Sequence, residues 1–199
     1  MATLAPGTGV RIRAEVLRRL SFLPPGEADL LIAVHEAGLK APQSRSTQVV
    51  GFRAGELCWA GALSERHVEV VSEPAGDPRQ LVAESIAAGP RLWEIVWPGE
   101  LLRDPERGPL DTVYRDERPW LVVGQTPDGD LLAVPLNDAT NPKWYTPLLA
   151  RSDVDMAGST KDVQVELAHL WSFPGSLGAI GDVADRARAA LLEALTRYF

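Results

Sequence analysis

One cysteine, Cys58, and three histidines, His35, His67 and His169, are the only thiol and imidazole side chains in the 199 residues. A single cysteine cannot form an internal disulfide and has no cysteine partner for a metal site. Its setting, Ala-Gly-Glu-Leu-Cys-Trp-Ala-Gly-Ala-Leu, reads as a buried strand in which cysteine serves as a small hydrophobe. The three histidines are scattered, with no His-x-x-x-His spacing, so no metal centre is expected. No apolar run approaches the roughly 18 residues needed to cross a bilayer. The first residues, MATLAPGTGVRIRAEVL, lack an apolar stretch followed by a small-residue cleavage site, so no signal peptide is expected. Glycine-rich phosphate loops with lysine, Gly-x-Ser-x-Gly elbows and dinucleotide fingerprints are also missing. The Gly7-Thr8-Gly9 triplet follows no strand. No cofactor is expected, and the chain fits a reducing cytoplasm.

What is present is an ordinary globular composition, 45% hydrophobic and 24% charged. The net charge is −7. Residues 1–90 carry 9 Lys+Arg against 10 Asp+Glu, and residues 91–199 carry 11 against 17. The basic footprint of a protein for long duplex DNA is therefore absent, although a short RNA segment needs only a few placed cations. The locally basic first residues, Arg11, Arg13, Arg18 and Arg19, read as the solvated face of a helix.

The first 90 residues predict a small α+β region of unknown function. Val10, Ala14, Leu17 and Leu20 suggest an amphipathic helix. A second helix is expected from Glu27 to Gly38, with His35 inside it and glycine as its C-cap. Three β-type runs follow, at Thr47–Phe52, Glu56–Leu63 and His67–Glu73, close enough for a meander of hairpins. Asp77 then opens a third helix that Gly89-Pro90 stops.

Residues 91–199 read as a second unit. Arg91–Trp97 is a strand, and a long polar loop leads into Arg118-Pro119. The runs WLVVGQ and LLAVPL are strands joined through Asp128-Gly129, a strong hairpin signal. DVQVELAHLWSF is a strand, or a pair with a bulge, with Val163, Val165, Leu167 and Leu170 inward and a register change near Ala168-His169. The last segment is a helix with Asp182 as N-cap and an apolar stripe through Leu191, Leu195 and Tyr198. Five of the six tryptophans, Trp93, Trp97, Trp120, Trp144 and Trp171, lie in this half. Trp97 and Trp120 adjoin apolar strands and read as core or interface. Trp144-Tyr145, beside Lys143 in a polar loop, is the pair best suited to stack RNA bases.

The ordered pieces GELLRDP, RDERPWLVVG, GDLLAVPLND and DVQVELAHLWSFPGSLGAIGDVADRARAALLEAL resemble the PemK/MazF family of toxin–antitoxin ribonucleases over about residues 98–199. The resemblance implies an SH3-like, strongly bent antiparallel β-barrel with a C-terminal helix, the whole chain then being α+β. It implies a homodimeric hydrolase, a metal-independent endoribonuclease for single-stranded RNA, with a cognate antitoxin protein as partner. Arg118 falls on the family's Arg-Pro arginine, which neutralises the scissile phosphate. Asn137-Asp138 stands where the family has Thr or Ser. Ala168–Ser172 stands where it has an Asp-Gln-Ile-Arg-Thr stretch. Asp138 and His169 are the candidates for the acid–base work that arginine cannot do. Each has a plainer alternative: an ion pair with Asp116 or Glu117 for Arg118, an Asx turn with Asn137 for Asp138, and a strand-end contact for His169. Loss of the family's second motif also admits a catalytically degenerate barrel that binds or regulates, and residues 1–90 could carry a function of their own.

Overall fold

Val10 and Ile12 are buried and Arg11 between them is exposed, a period of two that only a strand produces. In the computed structural model, which describes residues 4–17, 30–36, 46–74, 77–104, 108–109, 118–139 and 146–199, the expected first helix is therefore strand β1 (Gly9–Ile12) followed by a single helical turn, α1 (Ala14–Leu17). The expected second helix is strand β2 (Leu30–Glu36). A short apolar run such as Leu-Leu-Ile-Ala-Val has no periodicity that separates a buried strand from a helix. Here it has a strand on each side, which supplies the backbone partners, and β-branched Ile32 and Val34 suit the pleat. β3 (Ser46–Arg53) and β4 (Glu56–Ser64) form a hairpin whose central residues, Ala54 and Gly55, both have positive φ. β5 (Val68–Ser72) leaves that hairpin and pairs with β1, so the expected three-strand meander ends after two strands.

α2 (Pro78–Ser85) ends against the middle of the sheet. Gly124 makes that approach possible, since a Cβ there would lie 2.1 Å from the Ser85 carbonyl oxygen. β6 (Glu94–Val96) and two short strands, β7 (Arg103–Asp104) and β8 (Gly108–Pro109), precede the β9 (Trp120–Gln125) and β10 (Leu131–Asp138) hairpin. Short strands β11 (Leu148–Leu149), β12 (Val154–Met156) and β13 (Val163–Val165) follow, then β14 (Leu170–Phe173) and β15 (Ala179–Val183). α3 (Asp185–Tyr198) closes the chain. Asp182 does not cap it: that residue belongs to β15, between Asp155 of β12 and Glu94 of β6, and the helix starts after Ala184.

The strands are antiparallel and form one principal open sheet, ordered β12-β15-β6-β9-β10-β14-β4-β3-β2-β1-β5. β12 and β5 end this path, so the described strands do not close into the barrel ring that the resemblance implies. The two halves of the chain share the sheet through β4 and β14, where Trp171 faces Trp59. β10 changes neighbour along one edge. Leu131–Ala133 pair with β14, and Leu136–Asp138 pair with β13. Pro135 sits at the change, where its missing N–H removes no ladder bond.

Each sheet face has its own core. One packs Leu121, Val134 and Val165 with Val82 of α2 and Leu191 and Leu195 of α3. The other joins Trp59, Trp120 and Trp171 to Val10, Ile12 and Val68, so the β1–β5 end curls back over the tryptophans. Trp120 meets Phe173 edge-on, with centroids 5.1 Å apart. The Tyr198 hydroxyl donates to Oε1 of the fully buried Gln48 at 2.9 Å, tying the last helix to β3. Tyr198→Phe leaves that acceptor unsatisfied and should cost about 1–3 kcal/mol in urea unfolding. An unchanged midpoint would show that the bond contributes nothing.

Candidate functional site

Alternation decides which side chains can meet. In β9, Trp120 and Val122 face the tryptophan core, which puts Arg118, two residues before Trp120, on that face. In β10, Leu131 and Ala133 face the same way, and Pro135 and Asn137 continue that row. In β13, Val163 and Val165, with Leu167 after them, face the helix side, so Gln164 and Glu166 point to the tryptophan side. In β14, Trp171 and Phe173 face the tryptophan core, and one step of alternation back places His169 with them. Arg118, Asn137, Gln164, Glu166 and His169 thus share one face around Pro135.

Hydrogen bonds hold this arrangement. The Leu136 N–H donates to Pro119 O at 2.9 Å, fixing the chain just after Arg118 against β10. The Arg118 guanidinium donates from Nη1 to Oδ1 of Asn137. Asn137 stands directly opposite Gln164, which in turn stands opposite Leu148. The Glu166 N–H donates to Pro135 O at 3.0 Å, and the His169 N–H donates to Glu166 O at 3.3 Å. Arg118, Asn137 and His169 are half-buried, whereas Gln164 and Glu166 are 8% and 6% exposed. Burying polar side chains is costly unless they are satisfied. Gln164 in β13 and Glu166 one residue past its end place two such side chains on the tryptophan side of the sheet.

Chemically, the face combines a cation held by a neutral amide with a carboxylate and an imidazole. A guanidinium has five N–H donors, and the bond to Asn137 orients Arg118 while using one of them; Asp116 and Glu117, its alternative ion-pair partners, lie outside the described residues. Glu166 and His169 are groups able to move a proton.

Of the residues singled out from sequence, Arg118 and His169 come to this face. Asp138 lies one residue beyond Asn137, on the opposite side of β10, and its Oδ2 accepts from Lys161 Nζ at 3.0 Å. Both members of that pair are more than half exposed. Lys143, Trp144 and Tyr145 lie outside the described residues. Trp120 is fully buried, as its strand setting implied, while Trp97 is 40% exposed. Asn137, Gln164 and Glu166 were not singled out as site residues. The signal for the last two was in the alternation of Val-Gln-Val-Glu-Leu, where polar residues occupy the face opposite three inward aliphatics.

Comparison of the chain with family models, with curated proteins and with solved structures gave no match. The functional reading therefore rests on the residues and their geometry.

An exposed ion pair contributes little once solvent screening is counted, so Asp138→Asn should change unfolding free energy by about 1 kcal/mol or less. A larger loss in urea melts would mean that the carboxylate does more than meet Lys161.

Proposed function

We propose that this chain is a metal-independent endoribonuclease of toxin type, cleaving single-stranded RNA in the cytoplasm under the control of a cognate antitoxin. This reading takes the strands of residues 91–199 as the strongly bent, dimeric SH3-like unit of the PemK/MazF resemblance, here part of an open sheet that continues through β4 into residues 1–90. The change of neighbour along β10 at Pro135 supports such a bend. The observation that carries the reading is the Arg118–Asn137 contact, on the same face as Glu166 and His169.

In this chemistry the ribose 2′-oxygen attacks the adjacent phosphorus and the bond to the 5′-oxygen breaks. A cyclic 2′,3′-phosphate and a free 5′-hydroxyl result. A base takes the 2′-proton and an acid returns one to the 5′-oxygen, so protons balance without water or metal. Negative charge grows on the phosphoryl oxygens, and a guanidinium already held by Asn137 stabilises it without reorganising. We assign Arg118 to the phosphate and the proton transfers to His169 with Glu166, in place of Asp138. Lys143, Trp144 and Tyr145 remain the candidates for holding the RNA strand.

A second reading, a barrel that binds a partner without turnover, is favoured by the deep burial of Gln164 and Glu166. One assay separates the two. With purified full-length chain and a single-stranded RNA substrate, Arg118→Ala should lower the cleavage rate about 10²–10³-fold with an unchanged melting curve. His169→Ala should also impair cleavage, and Asp138→Asn should not. Full activity of the Arg118 variant overturns the assignment of that residue. Intact RNA with the wild type favours the binding module.

A further inference from the structure

α3 buries Leu191, Leu195 and Tyr198 on its inner side. A surface helix ordinarily covers its outer side with polar and charged residues. Here the outer side instead carries a row of Ala189, Leu192 and Thr196, at the i, i+3, i+7 spacing that stacks side chains on one face. All three are exposed, Leu192 by 44%. The Thr196 hydroxyl donates to Leu192 O at 2.9 Å, so its hydrogen bond is made within the helix and its methyl group joins the row. With Glu193 and Arg197 these residues line a shallow groove of about 470 Å³.

The charges beside the row select its occupant. Arg186 and Glu193 lie on one flank of the row, two helical turns apart and of opposite sign. Arg186 is held by Asp153 and Ser152 through Nε and Nη2, which leaves the donors of Nη1. A second copy of α3 laid antiparallel sets Glu193 beside the copy's Arg186, and Arg186 beside the copy's Glu193. A parallel copy sets like charge against like. In the antiparallel arrangement Leu192 lies over Ala189 of the copy, large against small, and the two helix dipoles oppose each other favourably. The row thus complements itself in size and charge about a two-fold axis, as an isologous interface requires.

We propose that the outer face of α3 is a two-fold interface on which a second copy of this chain docks its own α3 antiparallel. This surface locates the dimer that the proposed reading calls for, and in that sense rests on it, but its test involves no RNA. One helix pair is small beside a standard interface, so reversible association in the micromolar range is expected.

Sedimentation equilibrium of the full chain across the micromolar range tests this. The wild type should form a dimer. Leu192→Glu should weaken it by about tenfold or more, because the buried leucine is lost and a carboxylate is left in the contact. Its circular dichroism spectrum should be unchanged, since the position is exposed in the single chain. Leu192→Ala should also weaken the dimer, and exchanging the large and small residues, Leu192→Ala/Ala189→Leu, should restore most of what that change loses. Val70→Glu, at a comparably exposed valine of β5, should leave the dimer intact. A monomeric wild type overturns the proposal. So does a dimer that survives Leu192→Glu, one that yields equally to Val70→Glu, or a size exchange that restores nothing. RNA cleavage through Arg118 by a monomer would discard this surface and keep the ribonuclease.

Discussion

Pro135 has no amide hydrogen to give a ladder, and β10 changes its neighbour on one edge at that residue while keeping β9 on the other. Before Pro135 its outer edge belongs to β14. After Pro135 it belongs to β13. The residues on the tryptophan side change at the same point, from Leu131 and Ala133 to Asn137. Across the new neighbour they meet Gln164 and Glu166 rather than Trp171 and Phe173. The polar face is thus the continuation of an apolar core past the position where backbone pairing is handed over. Arg118 stands beside it because Trp120 pairs with Pro135, which brings the residues just before β9 alongside Asn137.

The N-terminal strands give this face its support. β14 cannot be an edge, because β4 continues the ladder beyond it. Trp59, Trp120 and Trp171 fill one side, and Val10, Ile12 and Val68 from the far end of the sheet pack with them. On the other side α3 packs through Leu191, Leu195 and Tyr198. Its hydroxyl contact to Gln48 reaches a strand 150 positions away in sequence. Contacts over such separations cost loop-closure entropy before they stabilise anything. The two halves therefore depend on each other through both cores, which leaves little of the β9–β10–β14 region able to pack well alone.

The strands with clean alternation or turn punctuation were legible in the sequence: β3, β4, β5, β9 and β10, as were α2 and the body of α3. The errors have a common cause. Val10 to Leu20 and Leu30 to Glu36 satisfy a helical pattern as readily as an extended one, and what decides is the pairing of β2 with both β1 and β3. No local signal carries that information. Asp182 looked like a cap because an aspartate before an apolar stripe usually is one, but β12 and β6 claim its backbone first. Arg118 and His169 were singled out by residue type. That they come to one face with Glu166, and Asp138 to the other side of β10, required knowing the phase of each strand, since one residue of slip exchanges the two faces.

The charge of the chain constrains any anionic ligand of that face. A protein carrying −7 repels a polyanion at long range, so its overall field does not steer RNA toward it. Attraction must come from within about a Debye length, roughly 8 Å at physiological ionic strength, where the Arg118 guanidinium acts against the Glu166 carboxylate on the same face. Burial helps in this respect. The tryptophan core behind Arg118 excludes water on one side, and a lower local dielectric strengthens a short contact more than it strengthens the screened surface field. On the proposed reading, such a site would favour one phosphate presented by a flexible single strand over the regular charge ladder of a duplex. Binding would then depend on how well one nucleotide fits the row from Arg118 through Asn137 to Gln164, and less on how much of the backbone is neutralised.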